Sequence, residues 1–157
     1  MGRLGRTAAL ATPFILFLLL VAYPAARAHA SPRLDVIGEI NAVRHHYGLR
    51  TLRLSPRLMQ SAEAYSHTMM AEQYFGHAAR IQASSRYRRL GEILQVHSGT
   101  EPDPDWAMRD WLNSPSHLGV ILDPLFRWVG AGYTTGWFWG WSHPGRDTIW
   151  TVHFGRR

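Results

Sequence analysis

The chain has 157 residues, with 17 basic against 11 acidic side chains, a net charge of +6, and neither cysteine nor lysine. That length accommodates one ordinary domain and no second one. The missing cysteine excludes a disulfide framework, a thiolate metal site and a cysteine nucleophile, and the 46% apolar content excludes a disordered chain.

Residues 1–30 read as a secretory signal peptide. Arg3 and Arg6 precede an apolar run from Ala8 to Ala22, and Pro24 ends it. Small residues follow, with Ala28-His29-Ala30 as the expected cleavage site and Ala26-Arg27-Ala28 as the alternative. The run is shorter than the ~20 residues of a membrane span, although an uncleaved anchor is the rival reading. Cleavage leaves residues 31–157 as the domain and removes three arginines, lowering the net charge to +3. So small an excess, on an exported chain, argues against nucleic acid as a partner.

The first half of that domain reads as helical. Val36, Ile40, Val43 and Tyr47 share one helical face, and Gly48 is a stop. Leu49–Leu54 is a connection. Ser55-Pro56 is a helix start, with a hydroxyl N-cap and proline at the first position. Leu58, Ala62, Tyr65 and Met69 form the apolar face, and Gly76 is the expected end. Ala78–Arg89 is polar and arginine-rich, a solvated basic loop. Leu90–Val96 reads as a short strand. A helix is expected from Pro104, carrying Met108, Trp111 and Leu112 inward. Ser114-Pro115 repeats the cap signal, with Leu118, Ile121 and Leu122 on one face before Asp123-Pro124.

The last third alternates. Val129–Tyr133, Gly136–Trp141 and Thr148–Phe154 read as three strands of a meander. Trp137, Trp139 and Trp141 share a face of the second, and Trp150, Val152 and Phe154 share a face of the third. The tryptophans are expected mainly in the core. The alternative for the first trio is a flat platform for sugar rings or a lipid tail. Helices followed by a late meander suggest an α+β domain.

Several strings occur in a telling order: Asn41-x-x-Arg44, Ser55-Pro56-x-Leu58, Phe75-Gly76-His77, Gly91-Glu92, Trp111-Leu112-Asn113-Ser114-Pro115-Ser116-His117, Val129-Gly130-Ala131-Gly132 and Val152-His153-Phe154-Gly155. Together they resemble the CAP superfamily (cysteine-rich secretory proteins, antigen 5 and pathogenesis-related proteins), in the style of its bacterial SCP-like extracellular branch, over roughly residues 34–155. The resemblance implies an α-β-α sandwich with a central antiparallel sheet between helical layers. It also implies a cavity lined by His77, Glu92 and His117. The second acid of that cavity, where family members have one, falls on Ser114 here, and Ile93 stands where asparagine usually follows the first acid.

Two imidazoles and a carboxylate suit a divalent metal, zinc by preference. His117, third in its helix, should be held neutral by the helix's positive end. The leading expectation is a secreted, non-catalytic module that binds a lipid, cell-wall component or extracellular protein through this cavity. The alternative is a metal-dependent extracellular hydrolase, with His77 and His117 as ligands and Glu92 as base. A third possibility is a polar cluster that merely stabilises the fold. A membrane is expected as a partner only if the leader stays uncleaved. Ser114 reads as an N-cap, His45-His46 as a solvated helix end, and His67, His97, His143 and His153 have no assignable partner.

Overall fold

The computed structural model describes residues 31–139 and 144–157. The leader and its cleavage site, with Trp141 and His143, lie outside the described residues. In chain order the elements are α1 (Pro32–His46), β1 (Arg53–Leu54), α2 (Pro56–Glu72), β2 (Arg89–Ser98), α3 (Pro104–Leu112), α4 (Pro115–Ile121), β3 (Trp128–Phe138) and β4 (Gly145–Arg156). Four strands form one sheet in the order β1-β3-β4-β2. Helix α2 covers one face, and α1, α3 and α4 cover the other. The domain is therefore α+β and three-layered, as the resemblance implied.

Each helix has proline in its first turn. The Ser55 hydroxyl accepts the Leu58 amide at 3.3 Å, so Ser55-Pro56 is a true cap. Gly48 ends α1 in the left-handed region at φ 70°. Helix α2 ends earlier than Gly76. Gln73 takes the left-handed conformation at φ 56°, and its side chain compensates by binding the backbone of Trp137 and Trp139 at 3.0 and 2.8 Å.

The sheet is mixed, not wholly antiparallel: β2, β4 and β3 pair antiparallel, while the two-residue β1 adds parallel to β3. The expected meander is a single long hairpin. Val129–Tyr133 and Gly136–Phe138 run through as one strand, because Thr134 and Thr135 keep the ladder with β4. Tyr47 and Leu112, expected inward, are exposed at the ends of their helices.

The larger core lies between the sheet and α1/α3. It holds Val36, Ile40, Met108, Trp111, Val129, Trp150, Val152 and Phe154. The smaller lies under α2, around Met69, Leu94, Phe138 and Ile149. Tryptophan is not mainly core here. Trp111 and Trp150 are fully buried, but Trp137 and Trp139 are 53% and 60% exposed, Trp137 lying on the strand face opposite Phe138, which packs under α2. Nor do those two make a flat platform: their rings meet edge-to-face at 66°.

Two motif residues act as internal clamps. The Asn41 side chain brackets the Leu52 backbone, accepting its N–H at 2.7 Å and donating to its carbonyl at 3.1 Å. Arg44 is wholly buried and donates to the carbonyls of Arg50, Ile121 and Asp123. It thereby satisfies acceptors left over at the C-terminus of α4. Gly130 and Gly132 let α2 lie directly on β3. A Cβ at Gly130 would stand 2.1 Å from Met59 N, and one at Gly132 would stand 2.2 Å from Glu63 N.

Candidate functional site

Strand β2 points Glu92 to the α2 side of the sheet, next to β4, where it pairs in register with His153. Its side chain is 4% exposed. Both oxygens are engaged. Oε1 accepts from His77 Nδ1 at 2.9 Å and from the Ala78 amide at 3.1 Å, and Oε2 accepts from His153 Nε2 at 2.9 Å. Burial by itself raises a carboxyl pKa. Here the hydrogen bonds from His153 and His77, the His153 charge and the Ala78 amide outweigh it, and Glu92 is held below its ordinary 4.5. Glu92 is therefore a carboxylate that only accepts.

His77 sits in the irregular segment after α2, its side chain 61% exposed. The Tyr65 hydroxyl donates to the Gly76 carbonyl at 2.7 Å and fixes this segment against the helix. His117 is half-buried at the third position of α4. Its pKa is lowered, first by burial and then by the charge of nearby His77. The expected direction holds, but the cause is desolvation and a neighbouring imidazole instead of the helix end. Its Nδ1 is buried without a hydrogen-bond partner.

The Ser114 side chain does not cap α4. It occupies the N-cap position, yet its hydroxyl meets Ser116 Oγ at 3.1 Å. It is neither placed against a base nor a substitute for a carboxylate.

His77, His117 and Glu92 are not arranged as the three-ligand zinc set expected of them. Each Glu92 oxygen already accepts a hydrogen bond, and one of these comes from His77 Nδ1, so the carboxylate orients that imidazole instead of joining it as a ligand. Among the described residues no three His, Asp or Glu side chains are grouped to hold a metal ion.

Sequence reading missed His153 and Ser61. His153 is 1% exposed, and its Nδ1 meets Ser61 Oγ of α2 at 2.8 Å. Strand alternation already places His153 on the face opposite Trp150, Val152 and Phe154. Only the pairing of β4 with β2 brings it to Glu92. His97, also unassigned, is a structural residue. It bonds Gln95 and the Glu101 carbonyl at 3.0 Å each and stacks on Trp106. His67 bonds Thr134, and His45 and His46 are exposed at the end of α1.

Two open cavities flank the segment beside His77. One, about 450 Å³, is lined by Ala78, Arg80, Gln82, Tyr87 and Leu90 among others. The other, about 320 Å³, is lined by Arg57, Gln60, Ser61, Ala64 and residues 82–84.

A three-layer domain with an imidazole–carboxylate cluster at one edge of its sheet defines the class, and the chain belongs to the Cysteine-rich secretory protein family (CAP), which it matches over residues 37–154. Among its relatives, the Bacillus subtilis protein YkwD is 31% identical over 128 residues, covering 76% of this chain and 45% of YkwD. The chain thus spans less than half the length of that relative. Similar folds include an extracellular protein containing an SCP domain from Bacillus anthracis (TM-score 0.62, 20% identity, 80% of this chain and 40% of that one). An outer surface protein from Borrelia burgdorferi has a TM-score of 0.61 at 19% identity, covering 79% of this chain and 91% of that one.

Proposed function

We propose that this chain is an exported binding domain. Its His77–Glu92–His117 edge engages a lipid, cell-wall component or extracellular protein without metal-assisted turnover there. The observation that carries the reading is that His77, the Ala78 amide and His153 already donate to Glu92, which favours an orienting carboxylate over the base or third ligand of the hydrolase alternative. The extracellular and outer-surface relatives, together with the leader-like residues 1–30, support export. Geometry supplies binding chemistry in its place: the exposed His77 imidazole adjoins Ala78, which lines an open cavity of about 450 Å³, and the half-buried His117 imidazole is near His77.

The test is direct. Protein purified from its native host is extracted and the copurifying molecule identified by mass spectrometry, with His117→Ala as the comparison. Retention by wild type and loss in the variant is the expected result. Hydrolysis that a chelator abolishes and that disappears in Glu92→Gln would overturn the reading. Mass spectrometry of the mature N-terminus separates a cleaved leader from a retained anchor.

A further inference from the structure

Four side chains from four parts of the fold stand in series: His77, Glu92, His153 and Ser61. The links are 2.9, 2.9 and 2.8 Å. The first imidazole is exposed, while Glu92 and His153 are sealed between α2 and the sheet. A buried run of this length has few consistent proton arrangements, so they can be enumerated.

Glu92 is ionised and offers only lone pairs. Each nitrogen facing it must therefore carry hydrogen, which assigns His77 Nδ1–H and His153 Nε2–H. A neutral His153 then has a lone pair on Nδ1, and the Ser61 hydroxyl donates to it. If His153 is charged, its Nδ1–H donates to Ser61 Oγ instead, and the hydroxyl turns to the Leu58 carbonyl, 3.1 Å away. In both arrangements Glu92 receives an N–H from His153. In both, a neutral His77 keeps its hydrogen on Nδ1 and leaves Nε2 bare.

We propose that Ser61 and His153 are positioning residues that hold the Glu92 carboxylate and, through it, fix His77 in the Nδ1–H tautomer, so that His77 Nε2 meets a ligand as a hydrogen-bond acceptor. The group recognised there by the neutral ring must then accept a lone pair: a hydroxyl, an amide N–H or a metal cation, not a carboxylate or phosphate. This deepens the binding reading and rests on it for the identity of the site. The tautomer itself is a property of the free protein.

The reason the back of the relay matters is Oε2. Without His153 that oxygen is a buried lone pair with no donor. Glu92 then turns away or takes up a proton, and a protonated carboxyl can donate to His77 Nδ1. Either outcome moves the imidazole hydrogen to Nε2 and turns the acceptor into a donor. The identity of one ring nitrogen is set by the hydrogen bond made at the other.

The experiment is ¹⁵N NMR of the imidazoles in the ligand-free protein, at a pH where they are neutral. Wild type is expected to show His77 protonated on Nδ1. In His153→Phe, which keeps ring bulk, the Nδ1–H to Nε2–H ratio at His77 should fall about tenfold, the equivalent of one net hydrogen bond. His153→Gln, which can still donate to Oε2, should restore most of it. Ser61→Ala serves if His153→Phe does not fold, and should shift the nitrogen signals of both histidines. His77 protonated on Nε2 in wild type would overturn the proposal, as would an unchanged ratio in His153→Phe. Unchanged signals for both rings in Ser61→Ala would remove Ser61 from the relay. No ligand takes part, so these outcomes stand apart from those of the copurification test.

Discussion

Gly132→Ala should be among the most damaging single-methyl additions to this protein. The new Cβ would lie 2.2 Å from Glu63 N, 2.3 Å from Glu63 Cα and 2.7 Å from Ala62 C. All three are backbone atoms of α2, so no side chain can swing aside. Restoring ordinary contact moves the helix by more than about 1 Å. That shift unseats Leu58, Ala62 and Met69, each fully buried. It also opens the 2.8 Å link between Ser61 and His153. Overpacking costs about 1–3 kcal/mol, and contact with backbone puts this case at the upper end. For a domain of this size about 3 kcal/mol lowers Tm by roughly 10 °C.

Two controls bracket the effect. At Gly136 the nearest atoms are the Met70 Sδ and Cγ at 3.2 and 3.4 Å, on a flexible side chain that can give way. Gly136→Ala should cost less than about 1 kcal/mol. Gly38 lies on the exposed side of α1 with nothing within 4 Å. Gly38→Ala should stabilise by about 0.5–1 kcal/mol through helix propensity. Urea unfolding of the three variants gives the ranking. A Gly132→Ala protein as stable as Gly136→Ala would refute the claim that α2 rests on the glycine backbone of β3.

Further predictions follow from the buried polar groups. Arg44→Leu should cost about 3 kcal/mol or more in a denaturant titration, because it strands the carbonyls of Arg50, Ile121 and Asp123; a loss under 1 kcal/mol would contradict the clamp. Glu92 is held below its ordinary pKa, so its contribution to stability is complete above about pH 4.5 and disappears as pH falls through the lower folded value. Glu92→Gln should accordingly show a shallower fall in stability on acidification than wild type, and parallel curves would refute the assignment. Glu39 behaves oppositely: burial, then the charge of Asp105, raises it to about 7. The folded state binds that proton more tightly, so the associated stability is present below the unfolded value and is lost as pH rises through about 7. Glu39→Gln should therefore gain on wild type between pH 5 and pH 8, and a constant difference would rule this out. Trp139→Ala should change stability by under about 1 kcal/mol, since the ring is 60% exposed and its backbone is held by Gln73.

The sequence by itself determined the helices, their starts and the family. Those signals are local. Ser55-Pro56 caps a helix because a hydroxyl and a fixed φ act within one turn, and apolar spacing marks the face that α1 and α2 bury. The order of short strings around His77, Glu92 and His117 located the polar cluster without any structure. Several outcomes depended on contacts between residues far apart in the chain. Whether Val129 to Phe138 is one strand or two is decided by its ladder with β4, so the sequence-level break at Thr134 and Thr135 had no force. Whether Trp137 is core or surface depends on which face of β3 is covered there, and α2 covers the opposite one, where Phe138 is buried. Above all, the partner of Glu92 was set by register. His153 lies 61 residues away along the chain, and only the pairing of β2 with β4 places its ring against Oε2. That pairing gives a carboxylate that reads as a base or metal ligand a buried donor on its second oxygen, and in the proposed reading the exposed nitrogen of His77 is the group that faces a ligand.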